Sequence, residues 1–119
     1  MNSILAVFIG GGLGSVLRYG IGRGLAGMAV IFPIGTLAAN ILATAILALS
    51  IVQISQREST PEWVSLFLLT GFCGGFSTFS TFSVDTLKLF QNGHSLLALG
   101  NILISVLACI LIAWIILRK

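Results

Sequence analysis

The chain has 119 residues, 57% of them hydrophobic and only 8% charged, whereas soluble domains carry roughly a quarter charged residues. This composition excludes a water-facing surface. The net charge is +3, but the basic residues are scattered and do not form the clustered stripe that binding to nucleic acids requires. We therefore expect a membrane protein, in contact with lipid, that has no nucleic acid partner.

Four apolar stretches fill most of the chain, over about residues 4–22, 34–54, 63–89 and 95–117. Each is close to the ~20 residues that a bilayer-spanning helix needs. No basic residue precedes Arg18, which argues against a cleavable signal peptide. Uninterrupted apolar runs favour helices over the alternating strands of a barrel. The prediction is an all-α membrane protein with a single four-helix domain over residues 1–119.

The six basic residues are divided equally between the two membrane faces that four spans imply. Because an excess of basic residues normally fixes orientation, an equal division predicts insertion in both directions and an antiparallel homodimer. A misassigned charge near a helix end would instead leave a single orientation. Arg57, Arg118 and Lys119 fall on one face, and Arg18, Arg23 and Lys88 on the other.

Glycines four residues apart recur in the first and third stretches, and such pairs let helix backbones approach closely within a bilayer. They support a compact bundle or dimer, although several such pairs arise by chance among 14 glycines. Arg18, near the end of the first stretch, is expected either to attract anions to a vestibule or to snorkel toward headgroups. The pairs are Gly10 and Gly14, Gly20 and Gly24, and Gly71 and Gly75.

The second stretch carries one polar stripe, with Asn40 at its middle and Thr36 and Thr44 four residues to either side. The amide of Asn40 can donate two hydrogen bonds and so bind an anion without adding a charge. A hydrogen bond to a neighbouring helix is the alternative.

The most informative segment is Gly71-Phe-Cys-Gly-Gly-Phe-Ser-Thr-Phe-Ser-Thr-Phe-Ser83 in the third stretch. Gly74 and Gly75 each weaken a helix by roughly 1 kcal/mol relative to alanine, and hydroxyl side chains follow at membrane depth. Backbone broken at that depth releases carbonyl and N–H groups that can face ions. We expect the third helix to be broken near Gly74–Ser77 at a buried ion site; a glycine kink that only aids packing is the alternative.

Phe79 and Phe82 are three residues apart and therefore lie on one face of the helix after the break, with Thr81 and Ser83 nearby. The electropositive edges of aromatic rings can stabilise a small dehydrated anion without trapping it. Contacts with lipid or with the core are the plainer interpretation of two phenylalanines on a membrane helix.

The fourth stretch has a second polar stripe of Asn101, Ser105 and Cys109, which predicts a wet track toward one face. The only histidine, His94, has no partner suggested by spacing, so no enzyme is expected. Asp85 is expected to pair with Lys88 near a helix end. A passive channel then fits better than a proton-coupled pump, which needs an ionisable group in the bilayer.

With these motifs the chain resembles, over essentially its full length, the Fluc (CrcB) family of bacterial fluoride channels. The resemblance rests on the glycine-rich first span with Arg18, on Gly35-Thr-Leu-Ala-Ala-Asn40, and above all on the Gly71–Ser83 segment. It implies a dual-topology homodimer with two fluoride pores, through which fluoride leaves the cytoplasm passively. The implied location is the bacterial plasma membrane, which is the inner membrane in a Gram-negative cell.

The resemblance also implies roles for individual residues. Main-chain carbonyls of Gly74 and Ser77, from both subunits, would hold a central structural sodium ion. Two positions depart from the family, which often has threonine at Ser77 and tyrosine at Asn101. The implied pore residues are Asn40, Phe79, Phe82, Thr81 and Ser83, with Ser105, Asn101 and Arg18 in the polar track and vestibule.

Two other functions are weighed against this one. A small multidrug-resistance exporter also has four short helices, but it needs a glutamate in its first span, and Ser3 to Leu17 contains no acid. A membrane scaffold without transport would release no fluoride from loaded vesicles.

Overall fold

The computed structural model describes residues 1–28 and 30–118, and it consists of helices joined by short connections. The first, second and fourth helices cover Ser3–Leu25, Ile34–Ser55 and Ser95–Leu117. The third span comprises a proximal half-helix, residues 62–76, and a distal half-helix, Phe79–Gln91. Four helical spans are long and apolar enough to cross a membrane. The prediction of an all-helical protein with four spans is therefore confirmed.

Local hydrogen bonds explain where several helices begin and end. Asn2 Oδ1 accepts from the backbone N–H of Ile4 at 2.8 Å and caps the first helix. Pro33 and Pro61, which have no N–H to leave unsatisfied, directly precede the second helix and the third span. Gly93, with a φ of 81°, makes the tight turn into the fourth helix.

The first helix and the proximal half-helix pack backbone against backbone through glycines. A Cβ on Gly10 would meet the carbonyl oxygen of Phe67, and one on Gly14 would meet that of Phe72. Gly75 lies against Gly11 in the same way. The predicted pair Gly20 and Gly24 is different, because a Cβ at either residue would have nothing within 4 Å.

The core lies around the last residue of the proximal half-helix. Phe76 is 1% exposed and packs with Ala39 and Ala43 of the second helix. Phe72 makes an edge-on contact with Phe76, with ring centroids 5.9 Å apart. Small alanines let the second helix approach the third span, so that Asn40, next to Ala39, lies beside the backbone that follows Phe76.

Candidate ion site at the interruption of the third span

Ser77 and Thr78 interrupt the helical backbone between the two half-helices. Ser77 has φ −80° and ψ 158°, and Thr78 has φ −152° and ψ 122°, so both are extended. Gly74, with φ −64° and ψ −37°, is still helical. The extended backbone thus lies C-terminal to the glycine pair that weakens the helix, near the middle of the span Glu62–Gln91.

Asn40 provides the hydrogen bonds that Thr78 loses at the interruption. The N–H of Thr78 donates to Asn40 Oδ1 at 2.7 Å, and Asn40 Nδ2 donates to the carbonyl of Thr78 at 3.1 Å. The interhelical hydrogen bond considered for Asn40 is therefore present. One hydrogen of its amide nitrogen is left for another acceptor.

The carbonyls of Gly74 and Ser77 are among those that lose their helical donors at the interruption. In a continuous helix the N–H of Thr78 would donate to the carbonyl of Gly74, and that of Thr81 to the carbonyl of Ser77. Here the N–H of Thr78 donates to Asn40, and the N–H of Thr81 donates to Thr78 Oγ1 at 3.1 Å. Over residues 1–28 and 30–118, no hydrogen bond reaches the carbonyl oxygens of Gly74 and Ser77.

Arg18 caps the end of the proximal half-helix. Its Nε donates to the carbonyl of Gly75 at 3.1 Å, and Ser15 Oγ lies 3.4 Å from the same oxygen. A cation at this position complements the negative end of the helix dipole. Arg18 also lines a cavity of about 320 Å³ with Thr36 and Thr81. Its guanidinium therefore faces the bundle, and its remaining N–H groups can donate hydrogen bonds into that cavity.

The two phenylalanines of the distal half-helix differ in exposure. Phe79 is 78% exposed and Phe82 is 8% exposed, although their ring centroids are only 5.6 Å apart, with planes tilted by 44°. Phe82 is held within its own chain. The ring of Phe79 lies on the outer surface of the chain.

A cavity of about 250 Å³ lies between these rings and the second and fourth helices. Its polar wall is uncharged, because amide, hydroxyl and thiol side chains supply it and no acid or base does. Its lining residues are Asn40, Thr44, Ser77, Thr78, Phe79, Phe82, Ser105, Val106 and Cys109.

The other predicted pore residues lie outside this cavity. Thr81 lines the Arg18 cavity instead, and the Ser83 hydroxyl donates to the carbonyl of Phe79 at 2.9 Å. Asn101 is 2% exposed and is hydrogen-bonded within the bundle. Of the predicted fourth-helix track, Ser105 and Cys109 reach the cavity and Asn101 does not.

Comparison with known proteins gives a consistent result. A family model described as CrcB-like protein, Camphor Resistance (CrcB), matches residues 5–117. The chain belongs to the CrcB-like family. A protein of Serratia proteamaculans (strain 568) named fluoride-specific ion channel FluC is 43% identical, over 97% of this chain and 97% of its own length.

Two further relatives with the same name come from Proteus mirabilis (strain HI4320) and Pseudomonas putida (strain W619). The first is 46% identical over 85% of this chain and 82% of its own length, and the second is 44% identical over 89% and 84%. All three relatives are named as ion channels. The predictions of family and of a non-enzymatic protein are therefore confirmed.

Sequence reasoning missed three polar contacts around the candidate site. Ser15 was not singled out, although it stands one helical turn before Arg18. Thr86, one turn after Phe82, was also missed. The carboxylate of Asp85 accepts from Thr36 Oγ1 at 2.8 Å; no ion pair of Asp85 with Lys88 occurs among the described residues, so that expectation was wrong.

Proposed function

We propose that this protein is a passive fluoride-selective channel that lets fluoride leave the cytoplasm of a bacterium across its plasma membrane. The observation that carries the proposal is the uncharged cavity between Asn40 and the rings of Phe79 and Phe82, inside a membrane span. Three relatives at 43–46% identity bear the name fluoride-specific ion channel. In a Gram-negative cell the membrane in question is the inner one.

The chemistry of the cavity suits a small anion that moves through without being trapped. Asn40 offers the amide hydrogen that Thr78 does not use, and the two rings offer electropositive edges. No carboxylate lines the cavity to repel an anion, and no ammonium or guanidinium lines it to hold one tightly. Weak, successive contacts are what conduction requires.

The outward face of the distal half-helix supports a homodimer. Phe79, Ser80, Thr81 and Ser83 are exposed there, and Gly74 is exposed with a carbonyl that lacks a helical donor. Hydroxyl and carbonyl groups in contact with lipid chains are costly. We propose that a second copy covers this face and that each of two pores uses rings from both copies.

The charge distribution supports opposite insertion of the two copies, and the position of the interruption is compatible with it. The basic residues are divided equally, three and three, between the faces, so charge does not select one orientation. Ser77 and Thr78 lie near the middle of the third span. A two-fold axis in the membrane plane therefore brings the interruption of one copy to the same depth as that of the other.

A structural sodium ion on this axis fits the residues present. The carbonyls of Gly74 and Ser77 lack helical donors, and hard cations prefer oxygen ligands. Two copies would supply two carbonyls each. Clusters of three or more His, Cys, Asp or Glu that could hold another kind of metal are absent from the described residues. When bound, the ion would neutralise carbonyl dipoles that otherwise face one another in the membrane.

The proposal is tested with purified protein in vesicles loaded with potassium fluoride. Addition of valinomycin, which lets potassium balance the charge, is expected to start fluoride release, while vesicles loaded with potassium chloride release almost none. Release without valinomycin would indicate coupled transport. If no fluoride is released with or without valinomycin, the protein is a membrane scaffold without transport.

A further inference from the structure

The buried polar side chains of the described residues form one group. They are Thr86, Asn101 and Ser105, which are 7%, 2% and 6% exposed. All three lie where the distal half-helix meets the fourth helix. A buried polar group is costly unless it is hydrogen-bonded, so such a group needs a structural or functional reason.

These side chains form a continuous chain of hydrogen bonds that ends at Phe82. Ser105 Oγ donates to Asn101 Oδ1 at 3.3 Å, and Asn101 Nδ2 donates to Thr86 Oγ1 at 2.9 Å. Thr86 Oγ1 in turn donates to the carbonyl of Phe82 at 2.8 Å. We refer to Ser105, Asn101 and Thr86 as the buried network.

Asn101 does not line the cavity, although Ser105 and Cys109, the other two residues of the polar stripe on the fourth helix, do. Its two side-chain polar atoms are both engaged inside the buried network. A side chain that is 2% exposed and absent from the cavity wall does not contact an ion there. Any effect of Asn101 on conduction therefore acts through the residues it bonds, Thr86 and Ser105, and Thr86 is the one that leads to Phe82.

We propose that Asn101 is a positioning residue, which acts through Thr86 to hold Phe82 in the pore wall and does not itself bind the anion. This inference rests on the proposed channel function. The distal half-helix is then tied to its neighbours on both sides of Phe82. Asn40 holds Thr78 one turn before the ring, and Asn101 holds Thr86 one turn after it.

The geometry leads to a specific expectation for variants. Replacing Thr86 by valine keeps the shape of the side chain but removes the hydroxyl, and leaves Asn101 Nδ2 buried without its acceptor. Replacing Asn101 by leucine breaks the network at its centre. Either change lets Phe82 shift, whereas the Thr86→Ser variant retains a hydroxyl and the link.

The test measures fluoride current through single channels of full-length protein in a planar bilayer, since a merely destabilised protein gives fewer channels but each carries the normal current. We expect Thr86→Val and Asn101→Leu each to lower the unitary current about tenfold. Because the two residues act in one link, the double variant should be no worse than either single one. Thr86→Ser should conduct as the wild type does.

Thr70→Val is the matched control, because Thr70 is exposed on the proximal half-helix, and its unitary current should not change. Normal unitary currents in both Thr86→Val and Asn101→Leu would overturn the inference, provided that the wild type conducts. So would a loss confined to Asn101→Leu, which would indicate a route that does not pass through Thr86. A wild type without fluoride current would instead overturn the proposed function.

Discussion

Asn40 holds both main-chain polar groups of Thr78, accepting from its N–H at 2.7 Å and donating to its carbonyl at 3.1 Å. A side chain of the second helix thus replaces the helical partners of a residue in the third span. This substitution stabilises the extended backbone and leaves the carbonyl of Gly74 without its donor. Asn40 also lines the cavity, so one amide links the interruption to the proposed pore.

Replacing Asn40 by aspartate is expected to abolish fluoride flux. The carboxylate can still accept from Thr78 N–H but cannot donate to its carbonyl, and it places a negative charge in the anion route. Two like charges ~4 Å apart repel by about 4 kcal/mol at an effective dielectric constant of ~20, so flux should fall below ~1% of wild type. The flux is measured as fluoride efflux from vesicles. Gln53→Glu, the same chemical change at an exposed site, should conduct normally, and normal flux in Asn40→Asp would remove Asn40 from the pore.

Replacing Phe82 by isoleucine is expected to lower fluoride flux about tenfold, because the aliphatic side chain fills space but has no electropositive edge. Phe79→Ile should have a similar effect, although its ring is exposed in a single chain, because we place it in a pore formed with the partner. Phe8→Ile, on the exposed side of the first helix, is the control. If Phe79→Ile matched that control while Phe82→Ile did not, the pore would be confined to one copy.

Replacing Gly14 by alanine is expected to destabilise the protein by about 1–3 kcal/mol, as overpacking does in a tight core. The added Cβ would meet the backbone oxygen of Phe72, which cannot rotate away as a side chain can. The thermal unfolding temperature of the detergent-solubilised protein should fall. Gly12→Ala, where nothing lies within 4 Å of the new Cβ, should not lower it, because alanine favours the helix. Equal unfolding temperatures for the two variants would contradict the close packing.

The sequence predicted the spans, because a long apolar run by itself indicates a membrane-spanning helix. It predicted only some of the contacts between helices. The pairs Gly10–Gly14 and Gly20–Gly24 have the same spacing, yet only the first lies against another helix. Spacing within one helix does not say which neighbour that helix meets.

The location of the interruption shows the same limit. The prediction placed the break near Gly74–Ser77, whereas the extended residues are Ser77 and Thr78. Asn40, distant in sequence, determines this by binding Thr78. The four-residue spacing of Asn101, Ser105 and Cys109 likewise predicted a polar stripe, but not that Asn101 lies behind the cavity wall, since that depends on Thr86 in another helix.

Removal of sodium is expected to weaken the proposed dimer. Without a cation, the carbonyls of Gly74 and Ser77 from two copies would face one another with their dipoles unbalanced. Protein purified in sodium chloride should therefore remain dimeric at lower concentration than protein purified in the chloride salt of a large organic cation. Size-exclusion chromatography across a dilution series measures this difference, and identical dissociation in both salts would argue against the sodium site.

Opposite insertion is expected to make each connecting loop accessible from both sides of the membrane. A single cysteine at Ser59, and separately at Asn92, in a variant with Cys73 and Cys109 replaced by alanine, reports on opposite faces. A membrane-impermeant maleimide added to intact cells should label about half of each, because the balanced charges select neither orientation. Full labelling of one site and none of the other would show a single orientation. Fluoride efflux from the cysteine-free variant confirms that it is functional.

The reversal potential of the wild-type current in a planar bilayer tests the central claim most directly. With a tenfold fluoride gradient and equal chloride on both sides, a passive fluoride-selective channel is expected to reverse at the fluoride equilibrium potential, about 59 mV in magnitude. Adding a chloride gradient or a pH gradient should leave that value unchanged. A reversal potential that followed the chloride or proton gradient, or the absence of any fluoride current, would contradict the account.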